Sequence, residues 1–537
     1  MYYRIAIIAS GDPYAYGPAW DAYEQLKLAG HAVELLDADR VPDLLGPDGA
    51  PNRALLAMFE QTFKPDYIAY QGETAEEILA ALEATDAGSP ERVRHFVVFG
   101  YVGPNNYGDE LLFEVLKRRL FARYPGCYIS LVGHDTREAL LRRGVAGALP
   151  NEKAACRAML NGADVQIVFA GLMYETPFLK FTSGLVDLFQ DPYSEIAGQA
   201  AMVLLAWLCG VPTVFVGMGV GPLGNPDAQA LVRLASLAAP RFVTRDAHSA
   251  ALLRQAGVAD DLVQEKADLA FLIDPRDYDE PPAWLADNGL KAGGYAAVAL
   301  RQDDKPMPEG LFVQVAGALD RLYEDKGLTP LFIDFAPEDR AVHEQVVRAM
   351  RHGDVAIMRD SLDIDETLGC LSHARMTLAM RLHCSILGNL FGKPSVGLDY
   401  NDKVGVYYRQ MGNDDCLCAL DASADEMAAA AFRALEKDLS AVEVQVARNR
   451  ELASEAFGIL CGVIDAREAQ PTAQPRYPRV VSNAELRNRS LQSQLDAALA
   501  RAEAAEARVR EIEESTTWKA GRALTAVPRF VKRKTDK

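Results

Sequence analysis

The apolar residues of this chain are parcelled into short runs that stop on glycine or a charged residue, and this limits the fold more than any other feature. RIAIIAS (4–10), HFVVFG (95–100), YISLVG (128–133), ADVQIVFAG (163–171), TVFVGMG (213–219), YAAVAL (295–300), LTPLFIDF (328–335), RMTLAM (375–380) and PSVGLDY (394–400) are too short for helices and are separated by segments of helical periodicity. Strands that are apolar on both faces belong to parallel sheets covered by helices, so an α/β fold is expected. Residues 196–226 carry no Asp, Glu, Lys or Arg and are long enough to mimic a membrane span. Gly210 and Pro212 divide them into a buried helix ending near Cys209 and the strand TVFVGMG.

Residues 1–90 alternate strand and helix as an extra N-terminal α/β unit, with helices expected at about Trp20 to Ala29, Arg53 to Phe63 and through Leu82. Residues 91–275 read as a first Rossmann-like domain, its strands running on through RFVTRD (241–246) and LAFLID (269–274). A connection rich in Pro and Asp leads to a second Rossmann-like domain at 290–467. Pro471, Pro475 and Pro478 then mark a linker. Leu491, Leu495, Ala498, Ala502, Ala505, Val509 and Ile512 recur at alternating four- and three-residue steps, so 483–514 is expected to be a coiled coil through which the chain forms a homo-oligomer. In 515–537 seven basic residues face one Asp and are interleaved with Trp518, Leu524, Val527, Phe530 and Val531. Such a basic amphipathic tail fits peripheral contact with an anionic membrane face, and a disordered tail fits equally.

A net charge of −19 argues against nucleic acid as a partner, and any anionic substrate must be met by a local basic pocket. The eight cysteines include no CxxC pair and no zinc spacing, so no metal is expected and the thiols read as reduced, in a cytoplasmic setting. MYYRIAIIAS reads as a first strand rather than a signal peptide.

Two segments carry most of the chemistry. In FGYVGPNNYGDELL (99–112) a strand enters a Gly/Asn loop and then a helix opening on Asp109 and Glu110; Asp109 there either caps its helix or works at a site, and both readings stay open. In AMRLHCSILGNLFGKPSVGLDYNDK (379–403) Arg381 and His383 are placed where a strand turns into a helix. Arg381 can grip a carboxylate or phosphate with its planar fork, and His383 can exchange a proton near neutral pH. GMGVGPLG (217–224) would let a ligand approach the backbone at Gly219, but it is not the dinucleotide fingerprint and no nicotinamide site is expected. Arg245, after RFVT, either pairs with Asp246 or meets a ligand, and Arg301 holds the analogous place after YAAVAL. Three arginines at strand ends aimed at one crevice would suit a small, highly charged donor.

In order and spacing, this set of motifs resembles the polysaccharide pyruvyl transferase family. The likeness is carried by Gly103, Asn106, Gly108, Asp109 and Glu110, by GMGVGP, Arg245-Asp246 with Ser249, ADLAF (267–271), Arg301, Arg381-Leu382-His383 and LDYNDK ending at Lys403. It implies two facing Rossmann-like domains of GT-B type and transfer of a pyruvyl group from phosphoenolpyruvate to two sugar hydroxyls as a ketal, with no cofactor. The expected acceptor is a cell-surface glycan or a lipid-linked saccharide precursor, met in the cytoplasm or at the inner membrane face. Within that reading His383 and Asp109 are the catalytic candidates, and Arg245, Arg301, Arg381, Asn106, Gly108, Gly219 and Lys403 the substrate-binding ones. The chain departs from the family pattern at FAGLMYETP (169–177), where only Gly171 stands in place of a Gly-Gly pair. TTWKAGRAL near the C-terminus resembles tails found on bacterial cell-surface glycan enzymes. Two other readings are a GT-B glycosyltransferase using a nucleotide sugar and a non-catalytic glycan-binding or scaffold protein.

Overall fold

The structure, a computed structural model, describes residues 1–9, 18–37, 64–70, 72–85, 88, 92–133, 146–148, 153–169, 195–238, 240–302, 307–361 and 363–469. Residues 1–472 gather into one compact unit and 473–537 into another. The coiled coil and basic tail expected in the second unit lie outside the described residues, as does the helix expected at 53–63.

Three parallel sheets build the first unit. Strands β1 (Arg4–Ala9), β2 (Ala32–Asp37) and β3 (Tyr67–Tyr70) form a small one in the order β2-β1-β3. The helix Pro18–Leu28 joins β1 to β2, and the helix Ala75–Glu83 follows β3, opening on a capping box between Thr74 and Glu77. This sheet is joined to its neighbour by buried polar contacts: the Ser130 hydroxyl donates to Glu34 at 2.7 Å and meets His95 Nε2 at 2.8 Å, while Lys27 donates to the Tyr128 hydroxyl at 3.1 Å. Burial, with Lys27 and Arg92 nearby, holds His95 well below the ordinary imidazole range, so this network joins the sheets with a neutral ring.

The second sheet contains β4 (His95–Phe99), β5 (Tyr128–Val132), β6 (Ala146–Ala148), β7 (Val165–Phe169), β8 (Thr213–Met218), β9 (Arg241–Thr244) and β10 (Val263–Glu265), in the order β10-β9-β8-β7-β4-β5-β6. The third contains β11 (Tyr295–Ala299), β12 (Thr329–Asp334), β13 (Ile357–Asp360), β14 (Met376–Ala379), β15 (Ser395–Leu398) and β16 (Leu417–Cys418), in the order β13-β12-β11-β14-β15-β16. Each sheet reverses direction beside its first strand, between β4 and β7 and between β11 and β14, which is the doubly wound pattern. Ligands of such sheets bind at that reversal, outside the carboxyl ends of the strands, so topology alone points to the loops after β4, β11 and β14. The strands β4, β5, β7, β8, β11, β14 and β15 are buried along their whole length, as their apolar composition required.

One expectation is corrected. LAFLID does not form a strand: Leu269–Leu272 is a single 3₁₀ turn whose start is capped by Asp268, its side chain accepting from the Ala270 amide at 2.9 Å. The strand is the preceding Val263–Glu265, three residues long, which places Asp268 just past the carboxyl edge of the sheet. The charge-poor stretch divides, as expected, into the helix Glu195–Leu208 and β8, and among the described residues no helix is long and apolar enough to cross a membrane.

The halves built on the two larger sheets are joined by elements that follow their strands. The Tyr107 amide, at the start of the helix Tyr107–Arg123, donates to the Phe335 carbonyl at 2.7 Å, and the two rings meet edge-on with centroids 4.7 Å apart. Arg118 binds Asp365 through two nitrogens at 2.9 and 2.8 Å. The helix Ser440–Ala469 returns from the third sheet to the second, where Arg467 donates to the Gly210 carbonyl at 2.7 Å and Lys266 reaches Glu455 at 2.5 Å.

Behind the Tyr107 contact stands a fully buried carboxylate. Asp339 accepts from the amides of Phe335 and Ala336, both at 3.1 Å, and binds Arg381 at 2.8 and 2.5 Å. Removing one member of a buried pair leaves the other charge desolvated and alone, at a cost of about 3–5 kcal/mol. Asp339→Ala should lower the unfolding free energy by about that amount, read as a falling urea midpoint; a midpoint within error of the parent would show that the brace carries no stability.

Candidate active site

Three neighbouring strand ends of the second sheet set out half of the site. Beyond β8 the backbone is kinked by a bulge at Val216/Met218, with Gly217 at φ 63°, and arrives at Gly219. A methyl group placed there would stand 2.7 Å from Cζ of Arg245, so the glycine makes room for the guanidinium, which follows β9. Val220, one residue on, donates its amide to Ser249 Oγ at 3.0 Å, tying the glycine-rich turn to the helix Ala247–Gln255. Asp246 caps that helix by accepting from the Ser249 amide at 2.7 Å. Arg245 Nε lies 3.3 Å from Asp246, and its Nη1 lies 3.7 Å from Asp268, which follows β10.

The loop after β4 supplies the rest of this half. Gly103 (φ 123°) and Asn105 (φ 60°) turn the chain into the helix, for which Asn106 is the N-cap without a side-chain cap bond. Glu110 folds back on the loop, accepting from the Gly103 amide at 2.8 Å. Asp109 is not the N-cap of its helix; its carboxylate lies in the field of His383, Lys403 and Arg245.

The third sheet delivers the facing half. β11, β14 and β15 are adjacent, with Ala299 beside Ala379 and Ala379 beside Gly397, so Arg301, Arg381 and Tyr400 emerge side by side from the carboxyl edge. His383 sits in the first turn of the helix Leu382–Leu390, and its ring rests on Gly108, where any side chain would overlap the imidazole. Its Nε2 lies 3.6 Å from Asp268 Oδ2, and among the described residues neither of these buried atoms has a hydrogen-bond partner. A shift of about half an ångström would bring the two into hydrogen-bond range.

The structure thus brings Asp109, Gly108, Gly219, Arg245 and His383 together, with Lys403 close to Asp109. Arg301 stands on the far side of Lys403: its guanidinium lies 5.4 Å from the centre of the Tyr400 ring, and the Lys403 amine lies 5.7 Å from it. Asn106 shapes the turn through its backbone. Arg381 departs from expectation. It is 6 % exposed, and its Nε and Nη2 are held by Asp339 with Glu338 at 3.3 Å, so it braces the Phe335 loop instead of offering an open fork to a ligand.

Sequence reasoning assigned no role to Asp268 or Tyr400. Burial would raise Asp268, but His383, Arg245 and the Ala270 amide outweigh it and hold the carboxyl below the ordinary range. Asp109 goes the other way: burial, aided by Glu110, pushes it up to about 6 against the pull of His383, Lys403 and Arg245. Two carboxylates in one site driven apart in this manner divide into a fixed anion and a proton carrier. Among the described residues no three His, Cys, Asp or Glu side chains converge in a metal-binding group. A small pocket opens here, lined in part by Arg245, Asp268, Leu382, Lys403, Tyr407 and Gln410.

Residues 106–402, more than half of the chain, match the profile of a family described as polysaccharide pyruvyl transferase. Over 283 residues the chain is 26% identical to the amylovoran biosynthesis protein AmsJ of Erwinia amylovora, a match covering 49% of this chain and 66% of that protein. Among solved structures, the UDP-GlcNAc 2-epimerase of Methanocaldococcus jannaschii is similar at a TM-score of 0.48 and 10% identity, over 69% of this chain and 99% of that one. A UDP-N-acetylglucosamine 2-epimerase described as putative, from Listeria monocytogenes, is similar at 0.47 and 11%, over 71% and 98%. Those structural likenesses are too distant to bear on chemistry, whereas the matched segment runs from the Asn106 turn to the start of the helix that carries Lys403. The chain belongs to the polysaccharide pyruvyl transferase family.

Proposed function

We propose that this chain transfers a pyruvyl group from phosphoenolpyruvate to two hydroxyls of a sugar in a cell-surface glycan or its lipid-linked precursor, forming a cyclic ketal and releasing phosphate. One observation carries the reading: a raised carboxylate, Asp109, and an imidazole, His383, meet across two sheet edges beside Arg245 and Lys403. That set can hold a small anion and move protons at the same place. Lys403, Arg245 and Arg301 supply positive charge for the donor's phosphate and carboxylate. Asp109 takes the proton of the first acceptor hydroxyl as its oxygen bonds to the enol carbon of the donor. His383, oriented by Asp268, gives a proton to the methylene carbon, which becomes the methyl group of the ketal. The second hydroxyl then bonds to the same carbon as phosphate leaves with the C–O bonding pair; its proton returns to His383, and Asp109 gives up the first proton to the departing phosphate or to solvent.

The same proposal takes the small N-terminal sheet as an added unit outside the catalytic pair, the stretch at 483–514 as a coiled coil that makes oligomers, and the basic residues of 515–537 as a peripheral contact with the inner membrane face. It places the reaction in the cytoplasm.

Incubation with phosphoenolpyruvate and candidate glycan acceptors should release phosphate and add a pyruvyl ketal to the product mass; failure with every acceptor, together with turnover of a nucleotide sugar, would sink the reading. His383→Ala should lower turnover by about 10²–10⁴-fold, the range for a positioned proton-transfer group. A loss of only a few-fold would remove His383 from the proton step.

The pH dependence follows from Asp109. A base works in its ionised form, and in the free protein this carboxyl ionises as pH rises through about 6, so kcat/KM should climb through that region. In Asp109→Asn the remaining activity should lack this acidic limb. An unchanged profile would assign the limb to another group.

A further inference from the structure

We propose that Tyr400 is a working group of the donor subsite, its phenolic hydroxyl donating a hydrogen bond to the donor's anionic oxygen between Lys403 and Arg301. The inference rests on the pyruvyl-transfer reading and deepens it. Tyr400 leaves the carboxyl edge of β15, next to β14 and one strand removed from β11, on the side of the sheet reversal where doubly wound sheets bind ligands. The residue is 7 % exposed, and its oxygen lies where Lys403 can donate to it, which leaves the phenolic O–H to donate to a ligand. Cations stand around it from three elements: Arg301 from the end of β11 at 5.4 Å from the ring centre, Lys403 from its own helix at 5.7 Å, and Arg381 from the end of β14, itself held by Asp339 and Glu338. Burial opposes ionisation of the phenol, yet Lys403, Arg301 and Arg381 outweigh it and hold the group below the ordinary phenol range.

A phenol with that field around it is a strong hydrogen-bond donor. A ring that served only as a packing surface for the two cations would have no use for its oxygen. The distinction is testable because Tyr400→Phe keeps the ring and removes the hydroxyl. A hydrogen bond to a charged group corresponds to about a ten- to hundredfold change in affinity.

Calorimetric titration of the full chain with phosphoenolpyruvate, and separately with inorganic phosphate, should show Tyr400→Phe binding each about ten- to hundredfold more weakly, with an unchanged thermal midpoint. Wild-type affinity should also fall as pH rises through the phenol's titration, and that fall should be missing from the variant. On the unaltered protein, bound phosphate should move the first step of tyrosinate absorbance to higher pH, since an anion disfavours the phenolate. Equal affinities for wild type and variant, or an unmoved absorbance step, would overturn the role of Tyr400. Failure of wild type to bind phosphoenolpyruvate while it binds phosphate would overturn the donor assignment, leaving Tyr400 to be judged by the phosphate titration. Absence of binding to either anion would overturn both.

Discussion

An imidazole lying on a bare backbone is the contact on which the rest of the site depends. His383 belongs to the third sheet's half of the molecule and Gly108 to the second's, and the ring occupies the space that a Cβ at position 108 would need. This close approach brings Asp109, the next residue, within the field of Lys403, and brings His383 to Asp268. It is supported from behind by a chain of contacts in which Arg381 holds Asp339, Asp339 holds the Phe335 amide, and the Phe335 carbonyl receives the Tyr107 amide. The helix start carrying Gly108 is thus docked by backbone groups before any side-chain chemistry begins.

That arrangement gives the glycine of the Gly-Asp-Glu turn a physical meaning different from conformational freedom. Gly108 lies within the first turn of the helix Tyr107–Arg123 and is absent from the positive-φ positions, so its role is steric. Gly219 repeats the device on the other side of the site, giving its space to the Arg245 guanidinium. Each glycine lets a functional group from another element lie against backbone, where neighbouring amides and charges are already fixed. Such preorganisation matters because dipoles and charges held in place need no rearrangement when the reaction's charge develops.

How much of this could be read from the sequence depended on the range of each interaction. Parallel sheets were legible because burial on both faces leaves a local mark, the short unbroken apolar run. Arg245, Arg301 and Arg381 stood out because each directly follows such a run, and His383 because it opens the helix after one. Asp268 escaped because β10 is only three residues long and LAFLID looked like the strand. On that reading Asp268 would stand at the strand's amino end, the wrong edge for a ligand. Arg381 was found but its duty was misread, since its partner Asp339 lies 42 residues earlier on a different helix. Pairing over that distance is a product of strand order, which no local pattern reveals.

The opposite displacement of the two aspartates has a consequence for the order of events in the proposed reaction. Asp268 is pinned among His383, Arg245 and an amide, so a newly arrived anion alters its ionisation little. Asp109 has no comparable set of hydrogen bonds among the described residues, and burial has already moved it to about 6. A donor dianion settling beside Lys403 would draw on the cation that now favours Asp109's charge, and would add negative charge of its own; both effects raise the carboxyl further. A carboxylate raised toward neutral pH is a stronger base for a sugar hydroxyl while a sizeable fraction of it stays ionised there. Donor binding would therefore activate the group that the acceptor needs, which favours donor first and acceptor second, without any movement of the sheets. The overall acidity of the chain does not conflict with the proposed acidic donor, because what such a donor would meet is the local field of Lys403, Arg301 and Arg245, and Asp109 is a carboxylate whose rising proton affinity would serve the proposed chemistry.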